Sequence, residues 1–200
     1  MGVTASQILG GTPTVYTAPV GEALTELDAL APPAVTITPG GNWVALGGTV
    51  DDYELTYETS GNPVMCNEHL GMVNYFIEEE SLVFKLKIIE TDFTHLVHGL
   101  PLTAAVTAQT AAADRTAQDQ LGVGDGTQRQ RALLILGTSP EAGSRVLHIP
   151  KAEITGGLAV SFSKAEASAF DLEWTAWVNP SGTAGRRMAA FYDITAVASS

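Results

Sequence analysis

Four cysteine and histidine side chains have the types and spacing that a zinc site requires. Two residues separate Cys66 from His69, and two separate His95 from His98. Zinc accepts mixed Cys and His ligands in a tetrahedron, so the two pairs can supply four ligands. Against this, His95 and His98 fall in a predicted helix beside apolar residues, and Cys66 falls in a predicted loop. A structural zinc and ordinary surface histidines both stay open, and we favour the second and expect no metal.

Two further patterns have the composition of ligand sites but lack the context. Glu78, Glu79 and Glu80 are consecutive acids, and adjacent side chains on an extended chain point to opposite sides, so they rarely converge on one cation. The glycines of residues 122–126 are spaced as in a phosphate loop, but no Lys-Ser or Lys-Thr pair follows them. We interpret the first pattern as a solvated acidic turn and the second as a flexible turn.

Catalytic constellations are missing from the sequence. No Gly-x-Ser-x-Gly nucleophile motif occurs, and the carboxylates are too numerous to nominate an acid–base pair. The three tryptophans, Trp43, Trp174 and Trp177, could form a sugar-binding platform, although Trp174 lies on the apolar side of a predicted strand. We therefore predict a protein that is not an enzyme and that uses no cofactor.

Composition and charge limit the class of protein. The chain has 200 residues, 45% of them apolar, one cysteine and a net charge of −12. The charge is uneven, since residues 1–100 carry 13 acidic and 2 basic side chains and residues 101–200 carry 9 and 8. An acidic half argues against ordinary nucleic-acid binding, which requires Lys and Arg to neutralise phosphates. With no apolar window of about 20 residues and no signal peptide, we expect a protein made in the cytosol and not bound to membranes.

Period-two alternation predicts β-strands over much of the chain. Residues 52–58 place Tyr53, Leu55 and Tyr57 on one face, and the opposite face is polar, with Asp52, Glu54 and Glu58. Residues 81–90 repeat the pattern with Lys85 and Lys87 on the polar face, and residues 158–162 and 170–176 alternate as well. Shorter strands are predicted at residues 14–17, 43–47, 132–136, 145–149 and 188–194. This number of strands predicts a β-sandwich or a β-barrel.

The connecting segments complete the predicted architecture. One short helix is expected from Thr91 or Asp92 to about His98, with residues 22–30 and 103–120 as weaker helix candidates and a mobile loop as the alternative for residues 103–120. Prolines make residues 1–40 an extended arm that includes the first strand, followed by a β domain over residues 41–200. Gly61 and Pro63 indicate that the chain leaves its first long strand near residue 59. Residues 59–80 are accordingly predicted to be a long loop.

Several segments, taken in order, resemble the major tail tube proteins of long-tailed bacteriophages (siphophages). They are residues 15–21 (VYTAPVG), residues 43–47 (WVALG) with the acidic strand 51–58, residues 82–99, residues 131–135 (RALLI), residues 146–152 (VLHIPKA) and residues 170–182. Each segment is short, but their order and spacing span most of the chain. Residues 103–120 and the last few residues carry none of the resemblance.

The resemblance implies a tail-tube-type β-sandwich or barrel with a flanking helix and extended arms. It further implies six subunits per ring, stacked rings, and partners that include the tape measure, terminator and baseplate proteins, in a virion tail assembled in the host cytoplasm. DNA would pass through without specific binding. The residues implied to face the lumen are Asp52, Glu54, Glu58, Lys85 and Lys87. The loop implied to contact the adjacent ring contains Asn62, Glu68, Glu78, Glu79 and Glu80.

Two other functions remain open at this point. A tail terminator, or another neck or baseplate ring protein, can have the same fold but forms single rings. A carbohydrate-binding β-sandwich would be a monomer with an exposed aromatic platform.

Overall fold

The computed structural model describes residues 10–22, 24, 39–65, 72–89, 97, 100, 106–109, 118–121, 129–138, 144–156, 159–161 and 169–194. Within these residues the chain is mainly β, and eleven strands form. They are β1 (Gly10–Pro19), β2 (Val44–Ala45), β3 (Gly48–Met65), β4 (Met72–Ile89), β5 (Val106–Gln109), β6 (Gln118–Leu121), β7 (Gln130–Thr138), β8 (Ser144–Ile154), β9 (Ala159–Ser161), β10 (Ala169–Ala176) and β11 (Ala190–Ile194).

Nine of these strands form one antiparallel, strongly curled sheet with the shape of a half-barrel. Its main path runs β2-β1-β7-β8-β10-β4-β3, while β11 pairs with β8 and β9 pairs with β10. The curl brings β3, at one end of the path, back to β1, which lies next to the other end, and there the Thr49 hydroxyl donates a hydrogen bond to the Pro13 carbonyl oxygen at 2.9 Å. The curl therefore encloses the inner face of the sheet.

The main core fills this inner face. Alternate residues of each strand point inward, so β4 contributes Leu82, Phe84, Leu86 and Ile88. Residues from β1, β3, β7, β8 and β10 join them in one buried cluster that includes Trp174. Burying each such side chain stabilises the fold by about 1.5–3 kcal/mol relative to exposure. Strands distant in sequence are thereby held together by a shared apolar interior.

A second buried cluster lies on the other face of β1, β7 and β8. It contains Leu134 of β7, Val146 of β8, and Leu24 and Trp43, which cover the strands from outside. The covering segment is held by the Glu22 carboxylate, which accepts hydrogen bonds from the backbone and side-chain nitrogens of Asn42. As a result β7 is buried on both faces, with residues 132–135 almost fully inaccessible.

One buried ionisable side chain reinforces the pairing of β1 with β7. Arg131 Nε donates a hydrogen bond to Thr17 Oγ1 at 3.0 Å, and both residues are buried. Desolvation, with a smaller contribution from the charge of Arg129, lowers the pKa of Arg131 to about 10. The contact joins strands that are more than a hundred residues apart in the sequence.

Much of the predicted strand pattern is confirmed. The alternation is observed at residues 82–88 and 172–176 and begins as expected at Tyr53. Tyr57, expected on the buried face, is exposed because it lies where β3 passes the end of the core. The shorter strands expected at residues 14–17, 132–136, 145–149 and 188–194 fall within or overlap β1, β7, β8 and β11.

The helix predictions fare differently. No α-helix occurs among the described residues, and the predicted helix at residues 91–98 lies outside them except for Val97, which is buried. The candidate at residues 22–30 also lies almost entirely outside. At residues 103–120 the helix interpretation is wrong where the chain is described, because β5 and β6 pair there as a separate two-stranded sheet.

The prediction that residues 59–80 form a long loop is wrong. β3 continues to Met65 and β4 begins at Met72, so residues 59–65 and 72–80 are two paired strands of a hairpin, while residues 66–71 lie outside the described part of the chain. Gly61 marks a register shift within this pairing, where an added Cβ would collide with the Phe76 carbonyl oxygen. Pro63 is tolerated because β3 is an edge strand, where the missing N–H is not needed for a second neighbour. The Gly and Pro signals therefore marked a bulge and an edge, not a loop.

Candidate functional site

The outer face of β10, β4 and β3 carries a row of paired charges. The strand register places Glu54 beside Lys85 and Lys85 beside Glu173. Lys85 Nζ lies 3.6 Å from Glu173 Oε2 and 4.0 Å from Glu54 Oε2. All three side chains are substantially exposed, and exposed pairs of this kind contribute about 0–1 kcal/mol each. The row presents charge to solvent and contributes little to the stability of the fold.

The predicted lumen residues are largely on this face, which we call the polar face. Glu54, Glu58 and Lys85 are exposed on it, and Lys87 is half-buried opposite Asp171. Asp52 lies in β3, but its side chain falls outside the described part of the chain. A register shift between Val50 and Glu54 interrupts regular alternation on the Asp52 side of Glu54, so counting by twos does not decide where Asp52 points.

Sequence reasoning missed the contribution of β10 to the polar face. Asp171 and Glu173 lie directly opposite Lys87 and Lys85. The sequence does contain a signal for this pairing, because Lys85 and Lys87 have the same two-residue spacing as Asp171 and Glu173 on another strand. Opposite charges facing each other across strands are a favourable pairing.

Beyond the polar face, β3 and β4 continue past the core as a projecting two-stranded hairpin. Every described side chain from residue 74 to residue 80 is exposed. This set includes three large apolar residues, Tyr75, Phe76 and Ile77, which are 42%, 59% and 54% exposed. A two-stranded ribbon is marginally stable by itself, and contiguous exposed apolar residues commonly mark an interaction site.

The residues predicted for the inter-ring loop lie on this hairpin. The Asn62 side-chain amide donates a hydrogen bond to Glu78 across the two strands. Glu79 pairs in register with Ser60, and Glu80 with Thr59. Glu68 lies outside the described residues. The structure thus brings the described members of the set together, but on strands instead of on a loop.

An apolar groove of about 650 Å³ opens where the hairpin leaves the core. The hairpin side of the groove is formed by Leu55, Tyr57, Glu80 and Leu82. The other side is formed by the segment before β11 and by β11 itself, with Val178, Arg187, Met188 and Phe191. Desolvation, together with the neighbouring Glu80 carboxylate, raises the pKa of Tyr57 above its usual value. We call this feature the hairpin groove.

A smaller, more polar pocket of about 340 Å³ lies on the opposite side of the same segment. Its lining includes His148 and Tyr192, and the Arg186 guanidinium lies 5.6 Å from the centre of the Tyr192 ring. An Asx turn shapes its rim, where the Ser181 backbone N–H donates to the Asn179 side chain. Stacking of Arg186 on Tyr192 directs this cation away from the hairpin groove and leaves Arg187 as the cation of the groove.

The other chemistry considered from the sequence is not brought together in the described residues. Cys66, His69, His95 and His98 all lie outside them, as does the glycine-rich stretch at residues 122–126. Within the described ranges no group of three or more His, Cys, Asp or Glu side chains is placed to hold a metal ion. The tryptophan platform is contradicted, because Trp43 and Trp174 are buried and Trp177 is the exposed member of the three.

Comparison with known proteins adds no identification. No protein-family model matches the chain, and no curated protein matches it either. Among the described residues, no helix has the length and apolar character needed to cross a membrane.

Proposed function

We propose that this chain is the structural subunit of a siphophage tail tube, in which hexameric rings stack into a conduit for DNA. The observation that carries the proposal is the projecting hairpin, whose described side chains between residues 74 and 80 are exposed and include Tyr75, Phe76 and Ile77. An exposed apolar ribbon is an aggregation hazard in a monomer but a useful contact in an assembly. Self-association is the function class that this geometry supports best.

The specific assignment to a tail tube rests on the resemblance of the sequence. Five of the resembling segments lie mostly in strands that build the sheet, namely β1, β2 with β3, β7, β8 and β10. A curled sheet that ends in the long edge strand β3 is suited to continuation into a neighbouring copy, since closing a ring of such sheets removes their exposed edges. In the proposal this half-barrel sheet is the tube-type fold of the subunit.

The polar face is proposed to line the lumen. It presents the carboxylates of Glu54, Glu58, Asp171 and Glu173 against the two ammonium groups of Lys85 and Lys87. A net negative wall repels phosphate, so DNA passes without adhering. The cross-strand lysines and bound counterions limit the repulsion over about 10 Å at ordinary ionic strength.

The partners follow from this role. The subunit binds copies of itself within and between rings, and the tape measure, terminator and baseplate proteins contact the tube inside and at its ends. DNA is cargo in transit and not a specific ligand. The protein has no enzymatic activity and needs no cofactor, and it works in the virion tail after assembly in the host cytoplasm.

Electron microscopy of the purified protein over a wide concentration range tests the proposal. We expect six-fold rings that stack into tubes as the concentration rises. Single rings that never stack would instead indicate a terminator, neck or baseplate role. A protein that stays monomeric at every concentration would contradict the proposal.

Charge reversal tests the lumen assignment within assembled particles. Changing Asp52, Glu54 and Glu58 to Lys should leave assembly intact but slow DNA ejection, because a cationic wall binds phosphates. Asp171 and Glu173 cannot serve as the control, since they share the polar face. The matched control places Lys at Thr14 and Val20, which are exposed on and just after β1. Ejection at the normal rate in the triple variant would contradict the assignment.

A further inference from the structure

The projecting hairpin carries three consecutive apolar residues, Tyr75, Phe76 and Ile77, that are exposed, and we call these three residues the hairpin tip. Tyr75 and Ile77 lie on β4, five to seven residues beyond Leu82, the last β4 residue of the buried core in that direction. At roughly 3.3 Å per strand residue, Ile77 is about 17 Å along the strand from Leu82. Glu80, which lines the hairpin groove, lies three residues from Ile77 on the same paired strand, so Ile77 is about 10 Å along the strand from the groove of its own chain.

Contacts distinguish one of the three consecutive acids that follow Ile77 along β4. Glu78 accepts a hydrogen bond from Asn62, and Glu80 interacts with Tyr57 on the wall of the hairpin groove. The remaining acid, Glu79, is exposed and forms no ion pair or side-chain hydrogen bond with any described residue. Glu79, whose side chain has no partner among the described residues, therefore lies two residues from Ile77.

The hairpin groove offers the complementary surface. It is lined by apolar side chains, of which Met188 is half-buried and Phe191 is exposed. Arg187 lies on its rim, and no described carboxylate forms a salt bridge with it. A cation beside an apolar groove is complementary in chemistry to an acid beside the apolar hairpin tip.

We propose that the hairpin tip of one copy docks in the hairpin groove of another, with Ile77 packed near Phe191 and Glu79 paired with Arg187. This inference rests on the proposed self-assembly and adds the two surfaces that meet. The contact is heterologous, because tip and groove are different surfaces, and repetition of such a contact generates rings or filaments rather than a closed pair. The contact removes the apolar residues of the hairpin tip from water. The pair of Glu79 and Arg187 fixes how the two copies are aligned in the contact.

Charge exchange tests the pairing. Glu79→Arg and Arg187→Glu should each raise the concentration needed for assembly about tenfold or more, as expected for loss of an interfacial charge pair, and the double variant should restore most of the loss. Asp171→Arg is the control, since it changes an exposed acid on the polar face, and it should assemble normally. Circular dichroism and thermal melting of each variant separate failed assembly from failed folding.

Cross-linking tests the proximity independently. In a Cys66→Ser background, one tagged copy carries Ile77→Cys and a second copy with a different tag carries Phe191→Cys. Oxidation of the mixture should give a disulfide between the two tags, whereas Ile77→Cys mixed with Thr14→Cys should not.

The outcomes separate this inference from the proposed function. Normal assembly of both charge variants, without cross-linking between tags, would overturn the docking while leaving self-assembly in place. In a copy that carries both Ile77→Cys and Phe191→Cys, a disulfide formed within that copy would show that the groove is occupied from its own chain and would also overturn the docking. An unmodified protein that never assembles would overturn both proposals together.

Discussion

Strand β7 and the projecting hairpin are built from the same antiparallel ladder but have opposite relations to solvent. Residues 132–135 of β7 are buried on both faces, between the two hydrophobic clusters, whereas residues 74–80 of the hairpin are exposed on both faces. Backbone pairing is therefore not what distinguishes them. Side-chain packing around β7 stabilises the subunit. The side chains of residues 74–80 are not packed in this way, so the hairpin is available for contact with another molecule.

The largest expected effect is on the β7 side of this comparison. Leu134→Ala should lower the free energy of unfolding by about 2–5 kcal/mol, since it leaves a cavity in a fully buried site. Denaturant unfolding of the subunit measures the loss. A change below about 1 kcal/mol would show that β7 is not the packed centre described above.

The matched change in the hairpin should affect assembly without affecting the fold. Replacing Phe76 and Ile77 together with Ser removes exposed apolar surface, so the unfolding free energy should change by no more than about 0.5 kcal/mol. Light scattering should nevertheless show that association is lost. A large drop in subunit stability would mean that the hairpin is packed within its own chain.

A smaller and more local effect is expected at the hairpin bulge. Gly61→Ala forces a Cβ against the Phe76 carbonyl oxygen, so the pairing there must shift. Hydrogen exchange should become faster in the hairpin and stay unchanged in β7. Gly40→Ala is the control, because an added Cβ there meets open space. Unchanged exchange in the Gly61 variant would indicate that the bulge relaxes freely.

The smallest effect should come from the polar face. Lys85→Met removes both ion pairs of the row but should destabilise the subunit by less than about 1 kcal/mol, because the charges are exposed. Adding salt should shrink the difference further. A loss of several kcal/mol would mean that the row has a structural role.

Local patterns in the sequence predicted individual strands well. The alternation from Leu82 to Ile88 needs only the period of a strand and one buried face, and it is observed. The same reasoning failed at Gly61 and Pro63, because glycine and proline occur at bulges and on edge strands as well as in loops. Gly61 and Pro63 are the reason that the sequence predicts a loop where β3 is paired with β4.

Long-range pairing was beyond what periodicity can specify. Tyr16 pairs with Leu134, and Lys85 pairs with Glu173, and neither partner can be chosen from local pattern. The polar face was therefore predicted only for β3 and β4. The hairpin groove was missed altogether, because it forms between Tyr57 and Phe191, which come together only in the curled sheet.

The most direct test of the central claim is a density map of the assembled particle. The account predicts a tube of six-fold rings with Glu54, Lys85 and Glu173 facing the channel and the hairpin tip contacting another copy. A map that places the Glu54, Lys85 and Glu173 side chains on the outer surface of the particle would contradict it.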